Sequence, residues 1–128
     1  MARLEIELDA ESRRKVLAIA CYPVLRARHV TLAFGVDRSD FLPEWVPGGA
    51  EVGASVALSA VARLQNECVQ ALVVEIAGST LRPHDQGTLH VTVSRTEAAR
   101  SKDSNALLAS GERKVITLHL TGTVVWVD

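Results

Sequence analysis

Apolar side chains recur at every second position in several short runs, the spacing that puts them on one face of a β-strand. Leu4, Ile6 and Leu8 alternate with Arg3, Glu5 and Glu7, which predicts a half-exposed first strand. Asp9 then supplies an N-cap for a helix over about residues 10–20, with Val16, Leu17, Ile19 and Ala20 as its buried stripe and Pro23 as its end. The run Val30 to Val36 predicts the next strand, and the loop after it extends to Gly49 through Pro43, Pro47 and Gly48. Glu51 to Arg63 and Val69 to Ile76 form a predicted hairpin around Gln65-Asn66-Glu67. After a loop from Gly78 to Gly87, Thr88 to Ser94 makes a further strand. A short helix is expected within residues 97–109, capped by Thr96 or restarted at Ser101, with Gly111 as its stop. Lys114 to Leu120 and Thr123 to Val127 predict a second hairpin that turns at Thr121-Gly122. The pattern is strand-dominated α+β with two helices, without the strand-helix alternation of a parallel sheet.

With 48% apolar residues, a chain of 128 residues can bury a proper core as one domain, 1–128, without disulfide staples. Its 14 Lys and Arg against 15 Asp and Glu leave a formal charge of −1, so nothing draws the whole molecule to nucleic acid or an anionic membrane. Any phosphate recognition has to be local. Arg63, Gln65 and Glu75 break the apolar runs well short of the roughly 18–20 residues that cross a bilayer. No export signal is visible, so a soluble, cytoplasmic protein is expected. Cys21 and Cys68 lack CxxC spacing and are expected to be buried, reduced thiols.

Two of the predicted strands carry the same pattern, His29-Val30-Thr31-Leu32 and His90-Val91-Thr92-Val93. In each, the imidazole and the hydroxyl two residues on share one face while the aliphatic residues point to a core. Two such faces turned toward each other would hold a phosphate between paired histidines. Cleaving a phosphodiester without a metal needs a base for the attacking oxygen and an acid for the leaving one. Histidine serves both because its ordinary pKa of about 6.5 lets one ring be neutral and the other protonated. Threonine hydroxyls beside the rings donate to the nonbridging oxygens where charge accumulates. One copy in a strand arises readily by chance; a pair is harder to dismiss.

His119-Leu120-Thr121 also fits the pattern, but Thr121 falls in the predicted turn and need not share a face with His119, which is taken as structural. His84, between Pro83 and Asp85, is expected to be a solvated loop ring. A metal hydrolase built on His29, His84, His90 and His119 lacks HExxH or clustered carboxylate spacing, and no G-x-S-x-G elbow supports a serine hydrolase.

The segments Arg28-His29-Val30-Thr31-Leu32-Ala33-Phe34 and Leu89-His90-Val91-Thr92-Val93-Ser94 resemble the paired signature strands of the 2H phosphoesterase superfamily, which includes cyclic phosphodiesterases and RNA-repair enzymes. The resemblance spans most of the chain, with Val115 to Val127 as the closing strand pair, and is nearest to the small domains of multifunctional RNA-repair proteins. It implies a bilobal fold, two antiparallel sheets around a V-shaped cleft with one His-x-Thr strand from each lobe on its floor. It also implies action on 2',3'-cyclic phosphates and related phosphodiesters without a metal or other cofactor. His29 and His90 then become general acid and base, in an order left open, and Thr31 and Thr92 the phosphate-oxygen donors. The compact segment between the motifs leaves little room for long substrate-gripping insertions.

Three further residues are substrate-binding candidates. Among Tyr22, Phe34 and Trp45, Tyr22 is the preferred stacking partner for a nucleobase, because it lies at a break outside the strands. Phe34 shares the parity of Leu32 and is expected in the core. Arg95 and Lys102 follow the second motif and offer positive charge to a terminal phosphate. Arg13-Arg14-Lys15 is assigned only to a wet helix face. The expected ligand is an RNA end or a small cyclic nucleotide, with other RNA-repair domains or proteins as possible company and no membrane. The alternative is a module that binds an RNA phosphate without turning it over, since motifs do not report the packing that sets catalytic geometry.

Overall fold

The computed structural model describes residues 1–128. Its strands are β1 (Ala2–Leu8), β2 (Val24–Leu25), β3 (His29–Val36), β4 (Ser55–Gln65), β5 (Val69–Glu75), β6 (His90–Arg95) and β7 (Lys114–Val127). Only two short helices accompany them, α1 (Ala10–Leu17) and α2 (Ser104–Ser110). The strands run antiparallel in the order β2-β6-β3-β1-β7-β4-β5, and β5 pairs in turn with β6. Strands β6, β3, β1, β7, β4 and β5 therefore close into a six-stranded barrel, with β2 as a short addition on β6. Closure leaves those six strands without a free edge to manage.

This overturns the expected α+β bilobal fold. There are no two sheets: the motif strands β3 and β6 are neighbours in one continuous sheet to which all seven strands belong. The main cause lies in β7, where the expected turn at Thr121-Gly122 does not form. The strand runs straight through, pairing with β4 up to Thr123 and with β1 from Gly122 onward, and so joins what would have been separate sheets. Gly122 serves close approach rather than turning, since a Cβ there would lie 2.5 Å from Ile6 Cγ2 and 2.6 Å from the Glu7 carbonyl oxygen. The predicted hairpin of β4 and β5 does form, with Asn66 Oδ1 accepting from the backbone N–H groups of Cys68 and Val69.

Inward-facing residues make the main core: Leu4, Ile6 and Leu8 of β1, Val30 and Leu32 of β3, Leu72 and Val74 of β5, Val91 and Val93 of β6, Leu120 and Val124 of β7. Burying each leucine-sized side chain contributes roughly 1.5–3 kcal/mol. Val16 of α1 and Trp45 and Val46 of the loop after β3 join the same cluster. The helix α1 is capped by Asp9, which accepts from Ser12 N–H at 2.7 Å, and is tied to β7 where Thr121 N–H donates to Ser12 Oγ at 2.8 Å. It ends at Leu17, short of the expected residue 20, while Leu17, Ile19 and Ala20 still pack at the core margin. A second cluster sets Leu107 and Leu108 of α2 against Val69, Ala71 and Val73, so β5 is covered on both faces. The restart at Ser101 is realised as a single 3-10 turn, Ser101–Asp103, leading into α2. No helix is long and apolar enough to cross a membrane.

One sequence echo survives the change of fold. In β3, Leu4 pairs with Ala33 and Glu5 with Thr31, leaving Leu32 as an extra residue; in β6, Gln70 pairs with Ser94 and Ala71 with Thr92, leaving Val93 extra. Each motif strand thus bulges at the aliphatic residue that follows its threonine. Two successive residues point inward there, Leu32 with Ala33 and Val93 with Ser94, and the next residue returns to the outer face.

Candidate functional site

The seam between β3 and β6 is held by a single ladder pair, Val30 with Val91, whose side chains enter the core. One residue to either side, the antiparallel register sets His29 across from Thr92 and Thr31 across from His90 on the outer face. Opposed side chains in such a pair start about 5 Å apart at Cβ. Two distant copies of one tripeptide thereby become a four-residue cluster of two rings and two hydroxyls.

That cluster floors a cleft of about 520 Å³. The lining includes His29, Thr31, His90 and Thr92, together with Lys102 of the turn before α2. Four arginines surround them: Arg3 from β1, Arg26 and Arg28 from the link between β2 and β3, and Arg82 from the loop before β6. Arg82 is held in place by two bonds to Asp85, from Nε at 2.7 Å and from a terminal nitrogen at 3.0 Å. Asp85 also accepts from Gly87 N–H; burial works against its charge, but these partners hold its carboxyl below the ordinary range. A chain of formal charge −1 has concentrated five cations in one place.

Phe34 is the one hydrophobic side chain of the lining and is 67% exposed. Its expected place in the core is wrong because the Leu32 bulge reverses the parity of β3. It stands at the rim where Tyr22 was expected.

The two rings differ in what lies behind them. His90 Nδ1 lies 2.8 Å from the Thr88 carbonyl oxygen, which can only accept, so Nδ1 carries the hydrogen and Nε2 is the free nitrogen of the neutral ring. His29 Nδ1 lies 3.4 Å from Glu5 Oε2, a carboxylate almost wholly buried on β1. Burial is the first cause pulling both rings below the ordinary histidine pKa. The charges of Arg3, Arg26 and Arg28 add to it at His29, and those of Arg82 and His29 at His90. Burial likewise raises the Glu5 carboxyl, which Arg3 partly offsets. Thr92 Oγ1 is 2.9 Å from the buried hydroxyl of Ser104, which fixes that side chain against α2.

Two expected binding residues lie elsewhere. Tyr22 donates its phenol hydrogen to the Asn66 carbonyl and its backbone N–H to Ser94 Oγ. It belongs to a polar clasp in which buried Gln70 receives Cys21 N–H and Ser94 Oγ–H and donates to the Ile19 carbonyl. Arg95 is spent on the carbonyls of Thr96 and Ala99. His84 is not the solvated ring expected, but stacks edge-on against Trp45 with centroids 5.1 Å apart. His119 and Thr121 do share an outer face of β7, contrary to the turn expected there. Cys21 is exposed and Cys68 half-buried, so neither is the buried thiol foreseen. The four histidines do not gather, and no group of three or more His, Cys, Asp or Glu side chains is arranged to hold a metal ion.

Sequence inspection passed over Arg3, Glu5, Arg26 and Arg82 as members of the site. Arg26 and Arg28 flank Ala27 just before the first motif, a local basic cluster that was visible. Arg3 and Glu5 had only the alternation of β1 to mark them, and nothing local announces that this strand lies beside β3. No protein-family model, curated protein or solved structure matches the chain.

Proposed function

We propose that the protein is a phosphodiesterase of the 2H type that opens 2',3'-cyclic phosphates at RNA ends or in small cyclic nucleotides, with His29 and His90 as the proton-transfer pair. The observation that supports it most is the convergence of both His-x-Thr faces into one cation-lined cleft. The cleft's arginines and Lys102 attract the phosphate and neutralise charge as it builds on the nonbridging oxygens. Thr31 and Thr92 donate to those oxygens. Either hydroxyl of the Thr92–Ser104 pair can donate; when Ser104 does, the Thr92 hydrogen is free for the ligand. One ring takes the proton of the attacking water and the other protonates the departing ribose oxygen, so the reaction needs no metal. Phe34 offers a face on which the base of the terminal nucleotide stacks.

The test is turnover of nucleoside 2',3'-cyclic monophosphates in the presence of a chelator by wild type, His29→Ala and His90→Ala. Wild type is expected to produce a nucleoside monophosphate and both variants to lose that activity. Equal turnover by all three would overturn the proposal. Wild type that binds the cyclic nucleotide in a calorimeter and returns it unchanged would make the cleft a binding site for RNA phosphate instead.

A further inference from the structure

The two rings need not be interchangeable, and what lies behind each distinguishes them. Resting on the phosphodiesterase reading, we propose that Glu5 is a positioning residue that holds His29 as the proton donor, which leaves His90 as the base.

Glu5 is a charged residue that is 3% exposed on the outer side of β1, beneath the cleft rather than in its lining. Its register partner on β3 is Thr31, and Glu7 stands opposite His29, so Glu5 reaches His29 on the diagonal. Oε2 is 3.4 Å from His29 Nδ1, while Oε1 is 3.1 Å from Arg3 Nε without an aligned hydrogen bond. A carboxylate removed from water is costly unless it meets positive charge and donors. Arg3 meets part of that need, and His29 adds to it when its ring is protonated.

The groups facing His29 oppose one another. Arg3 of β1 and Arg26 and Arg28 before β3 work against its protonation, as does burial; Glu7 favours it; His90 of β6 faces it across the seam. Glu5 is the carboxylate in direct contact with the ring. At His90 the corresponding contact is a neutral carbonyl, with Arg82 nearby. An anion favours an imidazolium more than a carbonyl does, so the donor is the ring backed by Glu5.

The step balances without a co-reactant. The water oxygen bonds to phosphorus as its proton passes to His90 Nε2. The bond from phosphorus to the ribose oxygen breaks as that oxygen takes the proton from His29 Nε2. Exchange with water then takes the proton off His90 and returns one to His29, restoring both rings.

Leaving-group dependence tests the assignment. A ribose oxygen needs a proton to depart and a p-nitrophenolate does not, so a nucleoside 2',3'-cyclic phosphate is compared with bis(p-nitrophenyl) phosphate. His29→Ala and Glu5→Gln are expected to lose activity on the cyclic ester and retain most of it on the aryl ester, while His90→Ala loses both. Glu5→Gln is also expected to lower the His29 titration, followed by NMR and in the pH-rate profile, by about one unit. Glu5→Asp, which keeps the charge, should recover much of that shift. Rescue of His90→Ala rather than His29→Ala on the aryl ester overturns the assignment. So does a Glu5→Gln variant that is slower at every pH with the His29 titration unmoved. If Glu5→Gln does not fold, an unmoved His29 titration in Glu5→Asp together with failed aryl-ester rescue of His29→Ala overturns it equally. Both histidine variants turning over the cyclic ester like wild type would instead remove the phosphodiesterase reading beneath it.

Discussion

The tripeptide His-x-Thr faces outward at two places on this barrel, twice across the seam of β3 and β6 and once on the wall of β4 and β7. At the seam a single ladder pair holds the strands, and the rings sit half-buried among arginines. On the wall the register between β4 and β7 runs unbroken from Ser55 with Thr123 to Ala60 with Leu118. There His119 is exposed, 3.3 Å from Ser59 Oγ, and nearby Lys15 donates to the His119 carbonyl oxygen. The hollow beside it is smaller, about 330 Å³, and includes Glu75. The tripeptide alone therefore distinguishes nothing. A second copy across an opened seam, burial enough to shift the rings, and surplus positive charge separate a candidate site from a surface histidine.

The largest expected contrast is catalytic. His29→Ala and His90→Ala should each lower turnover of a cyclic nucleotide by about 10²–10⁴-fold, the usual worth of a positioned acid or base. His119→Ala, on the wall, should leave kcat/KM within about twofold of wild type. A loss at His119 comparable with the other two would erase the distinction between seam and wall.

The wall should instead reveal itself in stability. Gly122→Val places a side chain against Ile6 and the Glu7 backbone, where nothing soft can yield. Overpacking of this kind costs about 1–3 kcal/mol, which a shifted urea midpoint would show. Folded Gly122→Val protein should keep the activity of the seam. An unchanged midpoint would mean that β7 and β1 do not approach as closely as described.

What could be seen in the sequence divides along the same line. The strands with clean alternation, the cap at Asp9, the hairpin at Asn66 and both His-x-Thr faces depend on neighbours a few residues away, and local chemistry suffices to find them. The barrel does not. It depends on Gly122 being an approach point in a long strand, whereas Thr-Gly between two apolar runs has the local look of a turn. Phe34 fails for a related reason, since a bulge inserts one residue without leaving a mark in the alternation. Glu5 and Arg82 reach the cleft region only through long-range pairing and loop packing, which no short window contains.

A smaller effect is expected at the cleft's rim. Phe34→Ala should weaken binding of a nucleoside cyclic phosphate by about 1 kcal/mol, at the lower end of stacking contributions, and raise KM more than it lowers kcat. Because the ring is largely exposed, stability should change by less than about 0.5 kcal/mol. Tyr22→Phe, which removes a hydroxyl bonded to the Asn66 carbonyl outside the cleft lining, should not alter KM. The reverse result would return the stacking role to Tyr22.

The smallest effect separates the buried Glu5 carboxyl from the two rings above it. His29 and His90 both have folded pKa values below the ordinary 6.5, with burial as the leading cause. Between those lowered values and 6.5 the unfolded chain binds more protons, so stability rises with pH across that window and is lost on acidification. Glu5 acts with the opposite sign. Its folded pKa is raised above 4.5, so its contribution is fully present below 4.5 and declines as pH rises through the folded value. Urea midpoints measured from pH 5 to 7.5 should therefore climb with pH in wild type and climb less in the double variant His29→Gln/His90→Gln. An equal slope in the two proteins would mean that the rings are not desolvated by the seam, and the physical difference between seam and wall would then reduce to the arginines alone.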